Sequence, residues 1–388
     1  MRRARLSQLF LTLAILACGV AWGQAPEANQ AGEWKRASTT HRLAAYPKVS
    51  SDGRVWFQFK APNAQKVQVR IGAASKVYDM EKDKDGVWNL ILPYPGPGFQ
   101  LYCMLVDGLV VPDPGSDIFY INGYTSGIDV PAPGEDYYLA KPVPHGDVRE
   151  HWFYSKVTQE FRRMFVYTPP NYDADGKTRY PVLYLQHGAG ENESEWTHAA
   201  HANFILDNLI AEKKATPMIV VMNNGFAFAP GTPMPLGPRE TRPPSLFGQV
   251  LITEVIPDVD ANFRTIADRD HRAMAGLSMG GMQTFQIGLA NVPTLSYFGI
   301  FSGPPMVGTP NLFEGALGDA ASFNKQVHLL WFGTGTTETA IYNRTKEITA
   351  QLEKAGIKYR YYESVGTAHE WQTWRRCLHE FAALLFKQ

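Results

Sequence analysis

The chain has 388 residues, 45% of them hydrophobic, 12% aromatic and 19% charged, a globular profile long enough for two domains. Lys+Arg and Asp+Glu both number 37, so the formal net charge is zero and the basic excess that a nucleic-acid footprint needs is absent. The 34 glycines and 27 prolines argue for turns and long surface loops and against a helical bundle.

At the N-terminus, Arg2, Arg3 and Arg5 precede the apolar run LFLTLAILACGVAW, and small residues allow cleavage after Gly23. Residues 1–23 therefore read as a signal peptide, and the protein is expected to be secreted or periplasmic. The run is too short for a comfortable membrane span, so no transmembrane segment is expected. Ile15-Leu16-Ala17-Cys18 loosely resembles a lipoprotein box, with Leu16 a poor fit, which leaves lipid anchoring at Cys18 as the alternative. After cleavage at Gly23, Cys103 and Cys377 remain; two distant cysteines make no disulfide framework and read as buried free thiols.

Residues 46–133 carry the two-residue period of strands. RVWFQFKAP puts Val55, Phe57 and Phe59 on one face, and KVQVRIG does the same with Val67, Val69 and Ile71. DKDGVWNLILP and LYCMLVDGLVVPDP each place Asp-Gly between apolar runs, a hairpin signal. A small antiparallel β-sandwich follows. Residues 134–150, with their Pro and Gly punctuation, read as a linker.

From 151 to 388 apolar runs alternate with helical patterns: YPVLYLQHG, MIVVMNNG, RAMAGLS, VHLLWFGTG and KYRYYESVG are each followed by a helix-like segment. This alternation predicts a mostly parallel sheet covered on both faces. Active sites in such sheets gather beyond the carboxyl ends of the strands.

Gly276-Leu277-Ser278-Met279-Gly280 occupies such an end, between a strand and a helix, the context of a nucleophile elbow. The serine hydroxyl needs a base. His369, in the loop after the last predicted strand, fits that role, and Glu338 is the carboxylate in the loop after the preceding strand. The chain order Ser–Glu–His is that of α/β-hydrolases. His187-Gly188-Ala189-Gly190 follows another strand, so the Ala189 N–H is expected to pair with the Met279 N–H as an oxyanion hole.

The motifs NFRTIADRDHRAMAGLSMGGMQTFQIGLA, LQHGAGENESEW and GTAHEWQTWRRCLHEF closely resemble esterases of carbohydrate esterase family one, the feruloyl and acetyl-xylan type, within the esterase-D-like hydrolases that include enterochelin esterases. The β-region resembles the early-set immunoglobulin-like module related to glycogen-binding modules. The resemblance implies an α/β-hydrolase fold preceded by a small immunoglobulin-like β-sandwich. It places the triad at Ser278, His369 and Glu338, where many relatives have Asp in place of Glu338. It implies no cofactor and no metal, and an ester-substituted plant polysaccharide or oligosaccharide as substrate.

Specificity is harder to read. The long segment Asn223 to Phe247 follows a strand, and Phe226, Phe228 and Met234 within it are expected either to flank an aromatic acyl group or to pack the loop. Trp371 or Trp196 is expected to touch substrate, and Trp374 to lie in the core. His198 and His201 resemble a metal pair but lack a third ligand nearby, so they read as structural. Two other functions remain open: a siderophore-ester hydrolase, and a non-catalytic carbohydrate-binding protein with a vestigial hydrolase domain.

Overall fold

The computed structural model describes residues 33–387 apart from 73–74, 94, 131, 133, 233–243 and 306–314. The signal peptide, Cys18 and Met234 lie outside the described residues.

The first body is built from alternating strands: β1 (Lys35–Arg36), β2 (Lys48–Val49), β3 (Val55–Lys60), β4 (Val67–Ile71), β5 (Lys76–Asp79), β6 (Glu81–Lys82), β7 (Val87–Leu92), β8 (Gly98–Val106), β9 (Leu109–Val111), β10 (Ile118–Tyr120) and β11 (Tyr124–Val130). One sheet has the order β1-β2-β3-β7-β6; the other runs β10-β11-β8-β4-β5, with β9 paired to β8. Val55 and Phe57 of the first sheet meet Val67, Val69 and Met104 of the second in a shared core, as two packed sheets require. The Asp107-Gly108 hairpin turn has both residues at positive φ, 48° and 88°, the geometry that matches strand twist. The sandwich starts earlier than the expected residue 46, because β1 pairs with β2.

Residues 134–150 are anchored rather than free. Asn208 Nδ2 donates to Tyr137 O (2.8 Å) and Leu139 O (3.0 Å), Tyr138 is buried, and Glu135 pairs with Arg376. The next strand already begins at Asp147.

The second body is one eight-stranded sheet: β12 (Asp147–Ser155), β13 (Glu160–Thr168), β14 (Val182–Gln186), β15 (Ile219–Asn223), β16 (Arg272–Leu277), β17 (Tyr297–Phe301), β18 (Leu329–Gly335) and β19 (Arg360–Ser364). Its order is β12-β13-β15-β14-β16-β17-β18-β19, antiparallel among β12, β13 and β15 and parallel from β15 onward. Every residue of β14 through β18 is buried, because helices and loops cover both faces. Cys103 and Cys377 are both buried and free. No helix among the described residues is long and apolar enough to cross a membrane.

The two bodies share a core. Phe99 and Phe119 of the sandwich pack in the same cluster as Trp371 and Trp374 of the helix Trp371–Ala382. From that helix, buried Arg375 reaches Asp129 of β11 at 2.7 Å.

Candidate active site

Strand β16 ends at Leu277 and the helix Met279–Gln283 begins one residue later, leaving Ser278 alone in the turn at φ 51°, ψ −110°. That backbone is strained for a residue with a side chain, and the surroundings hold it. Ser278 N–H donates to Phe301 O (2.8 Å), and Ser278 O accepts from Met282 N–H (3.1 Å). The flanking residues are small because the chain passes too close for anything larger. A Cβ on Gly276 would lie 2.6 Å from the Gly280 carbonyl carbon, and one on Gly280 would lie 2.7 Å from Gln186 Cβ.

His369 and Glu338 arrive from the carboxyl ends of β19 and β18. The Ser278 hydroxyl lies 3.0 Å from His369 Nε2, and His369 Nδ1 lies 2.7 Å from Glu338 Oε2. Glu338 is buried, and its Oε1 accepts from Ser302 Oγ and from Gly335 N–H, both at 2.6 Å. With both oxygens committed, the carboxylate cannot swing, and the extra methylene relative to Asp is taken up by its reach back to Gly335. The Trp374 ring meets the imidazole edge-on at 5.0 Å. Ser302 was not singled out in the sequence; its link to Glu338 spans two loops.

The loop after β14 is held from several directions. His187 Nε2 accepts from Gly225 N–H (3.0 Å), so its proton is on Nδ1, which donates to Gly188 O (2.8 Å). Burial lowers the pKa of His187 and keeps this neutral tautomer. Gly188 N–H donates to Glu191 Oε2 (2.7 Å), and Gly190 O accepts from Asn122 N–H (2.8 Å). The N–H groups of Ala189 and Met279 have no hydrogen-bond partner among the described residues. Met279 N–H is one of the uncommitted amides of a helix's first turn. These are the two donors the sequence nominates.

Ser278, His369, Ala189, Glu191 and Trp371 line one cavity of about 230 Å³. Six of its fifteen lining residues, Gly72, Phe99, Gln100, Leu101, Ile121 and Asn122, come from the sandwich, so the first body walls the site of the second. No local pattern in the sequence signals this.

One expectation about substrate contact, that for Trp196, is corrected, and of the two alternatives for Phe226 and Phe228 the structure fits packing of the loop. Trp196 is 1% exposed, donates its Nε1–H to Gln186 O (2.8 Å) and packs edge-on to Trp371, so it is a core residue outside the cavity. Phe226 and Phe228 stack on each other, with Phe226 against His187, and line a separate cleft with Trp152, Arg162 and Glu193. They do not line the Ser278 cavity. Trp371 does, although it is only 2% exposed. His201 Nδ1 contacts Tyr138 O (3.2 Å), and the His198 ring lies against Phe165, so both serve packing.

Residues 155–384, more than half of the chain, match the family described as putative esterase. The chain belongs to that family. Within this esterase family, it is 40% identical over 355 residues to an endo-1,4-beta-xylanase/feruloyl esterase from Xylanibacter ruminicola, covering 88% of this chain and 46% of that protein. Endo-1,4-beta-xylanase Y from Acetivibrio thermocellus is 28% identical over 203 residues, 48% of this chain and 17% of its own length. The chain thus spans less than half the length of either relative. A CE1 ferulic acid esterase from Anaeromyces mucronatus, solved in complex with ferulic acid, superposes with a TM-score of 0.57 at 25% identity, over 66% of this chain and 96% of that one. The enterochelin esterase of Shigella flexneri superposes with a TM-score of 0.62 at 16% identity, over 90% of this chain and 94% of that one. At that identity the likeness is one of fold, and it extends over both bodies.

Proposed function

We propose that this chain is an exported serine esterase that cleaves feruloyl esters, ahead of acetyl esters, on plant cell-wall polysaccharide. The observation that carries the reading is the relay from Ser278 through His369 to buried Glu338, opening into a cavity with apolar walls. In this mechanism His369 Nε2 takes the Ser278 proton as Oγ attacks the ester carbonyl. Glu338 steadies the imidazolium, and the N–H groups of Ala189 and Met279 receive the oxyanion. The alcohol leaves with the proton from His369, and water then resolves the acyl-enzyme by the same route. Leu101, Ile121, Leu277 and Trp371 offer an aromatic acyl group an apolar enclosure. The relatives named for xylanase and feruloyl esterase activities support the substrate class. We read the sandwich as an immunoglobulin-like module and residues 1–23 as the export signal; N-terminal sequencing of the exported protein should begin at Gln24.

The test is hydrolysis by the purified chain, beside Ser278→Ala, of methyl ferulate, acetylated xylan and a cyclic catecholate triester. Ferulate release that falls about 10⁶-fold in Ser278→Ala is the expected result. Cleavage of the catecholate ester alone would replace the cell-wall reading with a siderophore one. Unchanged biochemical behaviour in Ser278→Ala would favour a vestigial domain.

A further inference from the structure

The loop after β14 carries a carboxyl group that the mechanism above leaves unused. Glu191 stands two residues beyond Ala189, is 6% exposed and lines the Ser278 cavity. Its Oε2 accepts the Gly188 N–H at 2.7 Å, and its own N–H returns to Gly188 O at 3.4 Å. Its Oε1 has no hydrogen-bond partner among the described residues, and the residue borders the cavity. A Cβ on Gly188 would come within 3.1 Å of the carboxyl, so the two residues are closely fitted.

Among the described residues, no positive partner holds Glu191 ionised. The helix Glu195–His198 contributes Glu195, whose charge repels it. The loop after β19 contributes His369 and Glu370 to the same cavity; β8, the β10–β11 turn and the elbow contribute Gln100, Asn122 and Ser278. Burial, partly offset by the Gly188 N–H and reinforced by Glu195, pushes the Glu191 carboxyl up to about 8. The same reasoning extends to Glu195, which burial pushes up to about 7.

We propose that Glu191 is a positioning residue that works as a neutral carboxylic acid, its carbonyl oxygen Oε2 fixing Gly188 so that the Ala189 N–H faces the reacting centre, its proton carried on Oε1. The inference rests on the reading of Ser278 as nucleophile. Ionised, Glu191 places a negative charge in the cavity where the tetrahedral oxyanion forms, and repulsion at low dielectric cancels part of what the backbone donors contribute. Loss of this proton therefore slows attack by Ser278 on the alkaline side.

The experiment follows the full chain from pH 5.5 to 9.5 by two readouts: the rate at which a fluorophosphonate labels Ser278, and kcat and KM for methyl ferulate. Wild type, Glu191→Gln and Glu191→Ala are compared, with thermal melts to establish folding. Wild type is expected to lose rate across one ionisation centred near pH 8. Glu191→Gln keeps the shape and the acceptor for Gly188 N–H, so it should hold near wild-type rate at pH 6.5 and lack the alkaline limb. Glu191→Ala should lose about tenfold or more in kcat at pH 6.5 with KM little changed, the pattern of a misplaced oxyanion donor. The proposal is overturned if wild type shows no alkaline limb, if Glu191→Gln retains it, or if Glu191→Ala has wild-type kcat. Normal labelling and limb without ferulate cleavage would sink the feruloyl assignment and leave the role of Glu191 standing. A chain whose Ser278 takes no label would sink both.

Discussion

Asn122, at the tip of the β10–β11 hairpin, donates its backbone N–H to Gly190 O at 2.8 Å, so the sandwich holds the loop that carries Ala189. The fit leaves no slack. Gly190 has φ 81°, and a Cβ there would collide with Asn122 Oδ1. Gly190→Ala is expected to lower kcat by one to two orders of magnitude, about the scale of a displaced oxyanion donor, with KM nearly unchanged. Asn122→Gly removes the colliding atom and keeps the N–H, so the double variant should recover part of that kcat. A double variant no better than Gly190→Ala alone would show that the sandwich does not hold the loop.

Glu338 binds His369 through one oxygen and Ser302 and Gly335 through the other. Glu338→Gln introduces an amide NH₂ where every neighbour donates, so one contact must break. Steady-state kinetics should give a fall of about 10³–10⁴ in kcat, as for a triad acid that loses its charge. Glu338→Asp is one methylene too short to satisfy His369 and Gly335 together, and should fall between Glu338→Gln and wild type. Equal kcat for all three would exclude Glu338 as the partner of His369.

The two tryptophans offered as substrate contacts should separate cleanly. Trp371 borders the cavity, so Trp371→Leu should raise KM for methyl ferulate several-fold. Trp196 is sealed under the sheet, and its Nε1–H bonds Gln186 O. Trp196→Phe should leave the ratio of ferulate to acetate hydrolysis unchanged while costing about 1–3 kcal/mol of stability, from the unmade hydrogen bond and a smaller ring. Chemical denaturation and substrate profiling measure the two effects independently.

Asp129 and Arg375 form a buried ion pair across the two bodies. Burial, the largest single influence, would raise Asp129, but the charge and hydrogen bond of Arg375, with His201 and the Ser38 hydroxyl, together outweigh it and the net shift is downward. Asp129→Ala leaves Arg375 buried without its carboxylate and should cost about 3–5 kcal/mol in urea denaturation. A cost below 1 kcal/mol would mean the bodies are not coupled through this pair.

Glu191 also links stability to pH. An acid whose pKa is raised by folding binds its proton more tightly in the native state, so its contribution is fully present below the unfolded value and is lost as pH rises through about 8. The stability difference between wild type and Glu191→Gln should therefore move against wild type from pH 5 to pH 8.5. Urea midpoints of the two proteins at both pH values measure it, and a difference that moved in favour of wild type would mean that Glu191 is ionised in the fold.

Ser278, His369 and Glu338 are legible in the sequence because each sits just beyond the carboxyl end of an apolar run, and the parallel sheet aligns those ends. Trp196 shares a segment with the loop 187–190 beside the cavity, which makes it look like a substrate contact. The short helix Glu195–His198 turns it inward instead, a matter of orientation that spacing does not encode. Phe226 and Phe228 also follow a strand end, and spacing alone leaves both alternatives open: the Phe226 ring packs against His187 and both rings line a separate cleft. The burial of Glu191 and the wall formed by Gln100, Leu101 and Ile121 arise from contacts between distant parts of the chain. Single-sequence periodicity is blind to those, since it reports which face a residue occupies and not what that face meets.

The sandwich wall has a consequence for how the molecule is divided. The family match begins at residue 155, yet six residues that shape the cavity lie before it. A cut at that boundary would retain Ser278, His369 and Glu338 and open the chamber they face. Exchanging the sandwich for one from a relative would amount to refitting the pocket while leaving Ser278, His369 and Glu338 in place.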